Sequence, residues 1–146
     1  MAGIVGLTEL QHTNATSAMT IDASGNLTVK TGTTTVKGEG TNNTNLQQGL
    51  AKAWASFNGS SDAIGDSFNT SGITDNGSAD YSVGFTTNMG NANYSMYQCG
   101  GYSGNSGYTA MIYATSTNEA EFRSVYNDNT LYEFSLQTCA MFGDLA

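Results

Sequence analysis

Covalent or acid–base chemistry needs nucleophiles, bases or metal ligands at workable spacing, and this chain holds few of them. A Ser or Cys nucleophile requires a base, most often histidine, within hydrogen-bond reach. His12 is the only histidine in 146 residues, and it stands in the N-terminal stretch, away from the aromatic-rich remainder. No Ser–His or Cys–His arrangement is expected, and Ser95 and Ser103 read as surface or turn residues. Zinc takes three or four Cys or His ligands, whereas His12, Cys99 and Cys139 are widely separated. The run Gly100 to Gly107 is glycine-rich but carries no lysine and lies between strand-like segments. It reads as a mobile loop, not a phosphate cradle. No metal or cofactor is expected.

Two local carboxylate pairs, Asp75 with Asp80 and Asp62 with Asp66, have the residue types of a glycosidase. A chain this short offers little depth for the required cleft, so an enzyme is not expected. Asp75, Asn76 and Asp80 also crowd oxygen atoms as a calcium site would. The EF-hand spacing is missing, however, and Asx turns account for such residues. What remains is surface chemistry. Tyrosines interleave with Asn, Ser and Gly through the C-terminal half. Tyrosine offers a flat amphipathic contact, and Asn and Ser offer adaptable hydrogen bonds, a mixture suited to glycan or protein recognition. Tyr102, Asn105 and Tyr108 are the candidate ligand contacts, while packing must use several of the other tyrosines.

The composition says what must position these groups. Apolar residues make up 38% and charged residues 11%, the rest being largely Gly, Asn, Ser and Thr, with no proline. One Trp, eight Tyr and six Phe are too many for a disordered chain. The short β-branched and turn-forming polar residues belong to strands and tight turns. An all-β fold follows. The formal charge is −8, with Lys30, Lys37, Lys52 and Arg123 the only cations. That excludes a nucleic-acid backbone and an anionic membrane surface as partners. The N-terminal Met1 to Leu7 lacks a basic start and its apolar run breaks at Thr8, so neither an export signal nor a membrane span is expected. Cys99 and Cys139 are accordingly expected to stay reduced.

Three regions are expected. Residues 1–20 read as an attachment segment. Residues 21–49 alternate over short stretches with few apolar groups, namely Ile21, Leu27, Val29 and Val36. A hairpin so poor in apolar mass is marginal alone, but becomes plausible when identical copies close around one axis; a flexible Thr/Gly/Asn linker is the alternative. A short helical turn is expected between Asn42 and Ala53. Residues 50–146 carry seven or so strands: Ala53–Gly59, ending in an Asn-Gly turn, Ala63–Asn69, the hairpin Ile73–Phe85, then Tyr94–Cys99, Tyr108–Thr115, Ala120–Tyr126 and Leu131–Phe142. The hairpin turns around Asn76-Gly77, with Tyr81, Val83 and Phe85 on one face. Short strands separated by turn clusters describe an antiparallel β-sandwich or compact barrel.

Several stretches carry a family resemblance. Gly6-Leu7-Thr8-Glu9-Leu10-Gln11-His12-Thr13-Asn14, continuing to Ser17-Ala18-Met19-Thr20-Ile21-Asp22, resembles the leader of small fibre proteins of tailed phages, marine and cyanobacterial phages in particular. Lys52-Ala53-Trp54-Ala55-Ser56-Phe57-Asn58-Gly59, the run from Asp66 to Gly77, Asp80-Tyr81-Ser82-Val83 and Ala92-Asn93-Tyr94 resemble the head domain of the same proteins, as does the ending Met141-Phe142-Gly143-Asp144. The resemblance implies a homotrimer with an intertwined β shaft and a β-sandwich head. It also implies mounting on other virion proteins through residues 1–20, and adsorption to a host-surface receptor or glycan. It transfers no catalytic residues. A virion decoration protein that reads no receptor is the alternative.

Overall fold

The computed structural model describes residues 9–11, 17–29, 35–37, 43–101, 109–126 and 128–146. They fall into two units, Met1–Gln47 and Gln48–Ala146. In the first, β1 (Glu9–Gln11), β2 (Ser17–Ile21) and β3 (Leu27–Val29) form an antiparallel three-stranded sheet, and β4 (Thr35–Lys37) pairs with β5 (Asn43–Asn45). The turn between β2 and β3 is made by Asp22. Its carboxylate accepts hydrogen bonds from the backbone of Ser24 and Asn26 and from the Asn26 side chain, at 2.8–2.9 Å. The Asn26 side chain is the largest of the influences that hold the Asp22 carboxyl below its usual range. The register sets Ile21 opposite Leu27 and Met19 opposite Val29, so these four share one face. The helical turn expected after residue 42 is α1 (Leu46–Gly49).

The second unit is all-β. Its strands are β6 (Ala51–Phe57), β7 (Ile64–Phe68), β8 (Thr70–Gly77), β9 (Asp80–Phe85), β10 (Ser95–Gly101), β11 (Thr109–Thr115), β12 (Glu119–Val125) and β13 (Leu136–Phe142). They make two four-stranded antiparallel sheets, β10-β13-β6-β7 and β11-β12-β9-β8. One core lies between them. Ala53, Ala55, Phe57, Met96, Cys139 and Met141 come from the first sheet, and Tyr81, Val83, Phe85, Ala120 and Phe122 from the second. Phe57, Tyr81 and Phe122 meet at ring separations of 5.3–6.2 Å, within the range where tilted and edge contacts are favourable. The arrangement is that of a β-sandwich.

The final strand is shorter than the sequence predicts. Leu131 makes only an isolated bridge with Val125, and β13 starts at Leu136. The intervening chain crosses between sheets, and Tyr126, Tyr132 and Phe134 cluster there at 4.6–5.6 Å. The hairpin expected over Ile73–Phe85 begins earlier, at Thr70, and its turn sits later. Asn76 falls in a bulge, with Asp75 opposite Tyr81 and Gly77 opposite Asp80. Ser78 and Ala79 form the loop. Gly77 has φ 138° and Ala79 has φ 56°, so the positive φ that the hairpin needs is split between them. The Asn58-Gly59 pair is a glycine site for a different reason. A Cβ on Gly59 would lie 2.5 Å from the Tyr81 hydroxyl and 2.8 Å from the Phe134 carbonyl oxygen. Gly59 is there because its backbone amide donates to Phe134 at 2.9 Å and its carbonyl accepts from Tyr81 at 3.0 Å.

Asn69 alone joins β7 in one sheet to β8 in the other. It adopts φ 53°, a conformation that asparagine tolerates better than most residues. Its Nδ2 donates to the carbonyls of Lys52 (2.9 Å) and Thr87 (3.0 Å), and its Oδ1 accepts from the Thr87 amide (2.7 Å). One side chain thus ties the start of β6 to the chain leaving β9. Three hydrogen bonds at about 1 kcal/mol each, plus about 1 kcal/mol for alanine at positive φ, give an expected loss of about 3–4 kcal/mol for Asn69→Ala. Urea denaturation measures it, with Phe68→Ala, half-exposed next door, losing far less; equal losses would deny Asn69 its role as the corner.

Candidate functional site

Strand alternation divides β6 cleanly. Ala53, Ala55 and Phe57 are buried, which turns Lys52, Trp54 and Ser56 to the opposite face. The same alternation puts Tyr97 and Cys99 of β10, and Leu136, Thr138, Ala140 and Phe142 of β13, on that outer face. Register then lines them up across the strands. Tyr97 faces Ala140, Ala140 faces Trp54, and Trp54 faces Phe68. A second row beside it runs Cys99, Thr138, Ser56, Asp66.

The first row is aromatic and open to solvent. Tyr97 is 69% exposed and Phe68 52% exposed, with Trp54 half-buried between the flanking strands. Phe142 meets Tyr97 edge-on at 5.9 Å. The small Ala140 leaves a depression of about 320 Å³ lined by Tyr97, Gln98, Cys99, Thr138, Cys139 and Ala140. A smaller one of about 200 Å³ lies among Ser56, Gly65 and Leu136. Both are open hollows on a sheet surface. Such a face can stack flat ligands and meet hydroxyl groups, but holds no converging acid and base. The outward positions of β9 and β12 in the other sheet are polar or glycine by contrast. Asp80 and Arg123 pair there at 2.6 Å, and Asn76 donates to Ser82 at 2.9 Å.

The residues singled out in the sequence are not brought together as a reaction site. Tyr102, Asn105, Tyr108 and His12 lie outside the described residues. Asp75 accepts from the Gly77 amide at 2.8 Å, and Asp80 is committed to Arg123, so that pair serves the bulge and the sheet. Asp66 accepts from the Ser67 amide. Asp62 sits instead within electrostatic reach of Asp75 and Glu133. Burial first, then those two charges, raises its carboxyl above the usual range. Among the described residues no group of His, Cys, Asp and Glu is arranged to hold a metal ion, and no helix is long and apolar enough to cross a membrane. The hydroxyl of Tyr94 donates to the Glu119 carbonyl at 2.9 Å and is pushed up to about 12 by burial. It is a structural contact, as is Tyr81, whose burial raises it further.

The aromatic row escaped sequence reasoning. Alternation in Ala51–Phe57 does place Trp54 opposite the core side chains, but only the register between β6, β7, β10 and β13 sets the rings side by side. No family model matches the chain, and no curated protein or solved structure is found to be similar to it.

Cys99 and Cys139 are both free thiols. Cys99 is opposite Thr138, so the two thiols point to opposite faces of one sheet and cannot bridge within a chain. Burial pushes Cys139 up to about 11. A thiol reagent at pH 8 is expected to modify Cys99 rapidly and Cys139 only on unfolding; two equal fast rates would contradict the alternation. Asp62 makes a pH prediction. Its raised carboxyl favours folding below the ordinary value of 3.8, and that contribution is lost as pH rises through the folded value. Asp62→Asn should therefore raise Tm at pH 7 and leave it nearly unchanged at pH 3, as followed by thermal melts.

Proposed function

We propose that the chain is a non-enzymatic subunit of a virion fibre, tail- or capsid-mounted, that assembles as a homotrimer and serves adsorption to a host surface. The observation that carries the reading is the apolar face of the N-terminal hairpin. Ile21, Leu27 and Val29 are 46%, 56% and 42% exposed, although they stand on one face of paired strands. A sheet this small cannot bury them by itself. Copies of the same hairpin closing around an axis would do so, each adding its few apolar groups to a shared core. The motif resemblance to small phage fibre proteins supplies the setting, with residues 1–20 as attachment to other virion proteins, 21–49 as the trimerising shaft and 50–146 as the head. An acidic surface and a shallow aromatic face fit adsorption better than catalysis.

Sedimentation equilibrium of the full chain tests it. The expected mass is three times that of the protomer, and Leu27→Ser with Val29→Ser is expected to return a monomer whose Trp54 emission is unchanged. A wild-type chain that stays monomeric at micromolar concentration would sink the trimeric fibre.

A further inference from the structure

We infer that the outer face of the β10-β13-β6-β7 sheet binds a neutral oligosaccharide lying across the strands, stacked on Tyr97, Trp54 and Phe68. The inference rests on the adsorption reading above and names its ligand class and its residues.

Neighbouring strands are about 4.8 Å apart, so Tyr97 and Trp54, two strands apart, are about 10 Å from each other, and Phe68 extends the row to about 14 Å. That length exceeds a single sugar and suits a short linear chain. A pyranose ring has an apolar C–H face and a rim of hydroxyls. It therefore requires aromatic surface with polar groups immediately beside it. The second row provides those groups in the same register: the Thr138 and Ser56 hydroxyls, then the Asp66 carboxylate. The depression over Ala140, at about 320 Å³, is at the small end of the range for ligand pockets, about 300–1,000 Å³. It is also open, as a site for a polymer segment must be.

The same row argues against a protein partner. The Thr138 hydroxyl already donates to the Cys99 carbonyl at 3.2 Å, and one Asp66 oxygen accepts from the Ser67 amide at 2.8 Å. A flat protein surface laid over the aromatic rings would still strip water from the Ser56 hydroxyl and the second Asp66 oxygen, at a cost for every group left unpaired. A saccharide brings a hydroxyl to each position. Charge selects among saccharides. The chain carries −8, Asp66 stands within the polar row, and Lys52 on this face turns its Nζ to the Leu50 carbonyl at 3.0 Å, so uronate or sulfated polymers are disfavoured.

Trp54 is the only tryptophan of the chain and therefore reports on the face directly. The full-length chain is titrated with β-linked and α-linked glucose oligomers, β-linked N-acetylglucosamine oligomers and an oligogalacturonate while Trp54 emission is followed. At least one neutral oligomer is expected to shift the emission saturably, and the oligogalacturonate is not. Tyr97→Ala should weaken that binding about tenfold, about 1.4 kcal/mol, with Tm lowered only slightly through loss of the edge contact with Phe142, since the side chain is otherwise exposed. Tyr97→Phe should retain the binding, and Phe68→Ala should weaken it. Silence with every neutral oligomer, tighter binding of the oligogalacturonate, or wild-type affinity in Tyr97→Ala overturns the inference. So does an emission shift that follows protein concentration without sugar, which would assign the face to contacts between copies. A trimer that binds no sugar removes this inference and leaves the fibre; a monomer that binds sugar does the reverse.

Discussion

The second unit depends on one strand, β13. It is the last strand of the chain, yet it is central in its sheet, with β10 on one side and β6 on the other. Without it that sheet is a β6–β7 hairpin and a separate strand. Its inward side chains Gln137, Cys139 and Met141 are all buried, so removing it would also open the core. The pairing of β13 with β6 spans most of the unit's length in sequence, with Cys139 opposite Ala55. Loop closure must be met before that ladder contributes anything, which makes the topology one that folds slowly and closes late.

Register at β13 is held by a polar contact inside the core. Gln137 is fully buried, and its Oε1 accepts from Gln98 Nε2 at 2.6 Å and from Ser124 Oγ at 3.0 Å. Gln98 and Gln137 belong to one sheet and Ser124 to the other, so the contact crosses the sandwich. Each bond adds only about 1 kcal/mol net, but a slip of one residue would bury Thr138 and expel Gln137, leaving the partners of Gln137 unpaired in a medium where that is costly. The outward row on the same strand inherits this precision. Ala140 stands between Tyr97 and Trp54 only because Gln137 holds its place opposite Phe57.

Much of this was legible in the sequence where a short run carries its own signal. The all-β class, the helical turn near residue 46, and the shared core face of Tyr81, Val83 and Phe85 all follow from composition and alternation. Turn detail was less legible. Asn76-Gly77 looks like a two-residue hairpin loop, yet Asp75 captures the Gly77 amide and pulls Asn76 into a bulge, moving the loop onward to Ser78 and Ala79. Gly59 shows that a turn-like dipeptide can owe its glycine to a distant contact, here with Tyr81 and Phe134. The candidate face was the least legible part. Trp54, Phe68, Tyr97 and Ala140 come from four strands whose order is not sequential, and no local pattern states that order.

The distribution of the large rings gives that face its meaning. Of the six phenylalanines, Phe57, Phe85, Phe122 and Phe134 are buried. The other two, Phe68 and Phe142, stand with the one tryptophan on the outer face of a single sheet. A small sandwich with a modest apolar fraction gains about 25 cal/mol for each Å² of apolar surface it buries. Leaving Phe68 and Tyr97 more than half exposed therefore forgoes stabilisation that the core would have used. Scattered single exposures carry no message, but aligned ones spanning four strands in one register are a patch. Among the described residues, the exposed Phe68 and Tyr97 and the half-buried Trp54 share one face in register, an alignment that incomplete packing of isolated side chains does not produce.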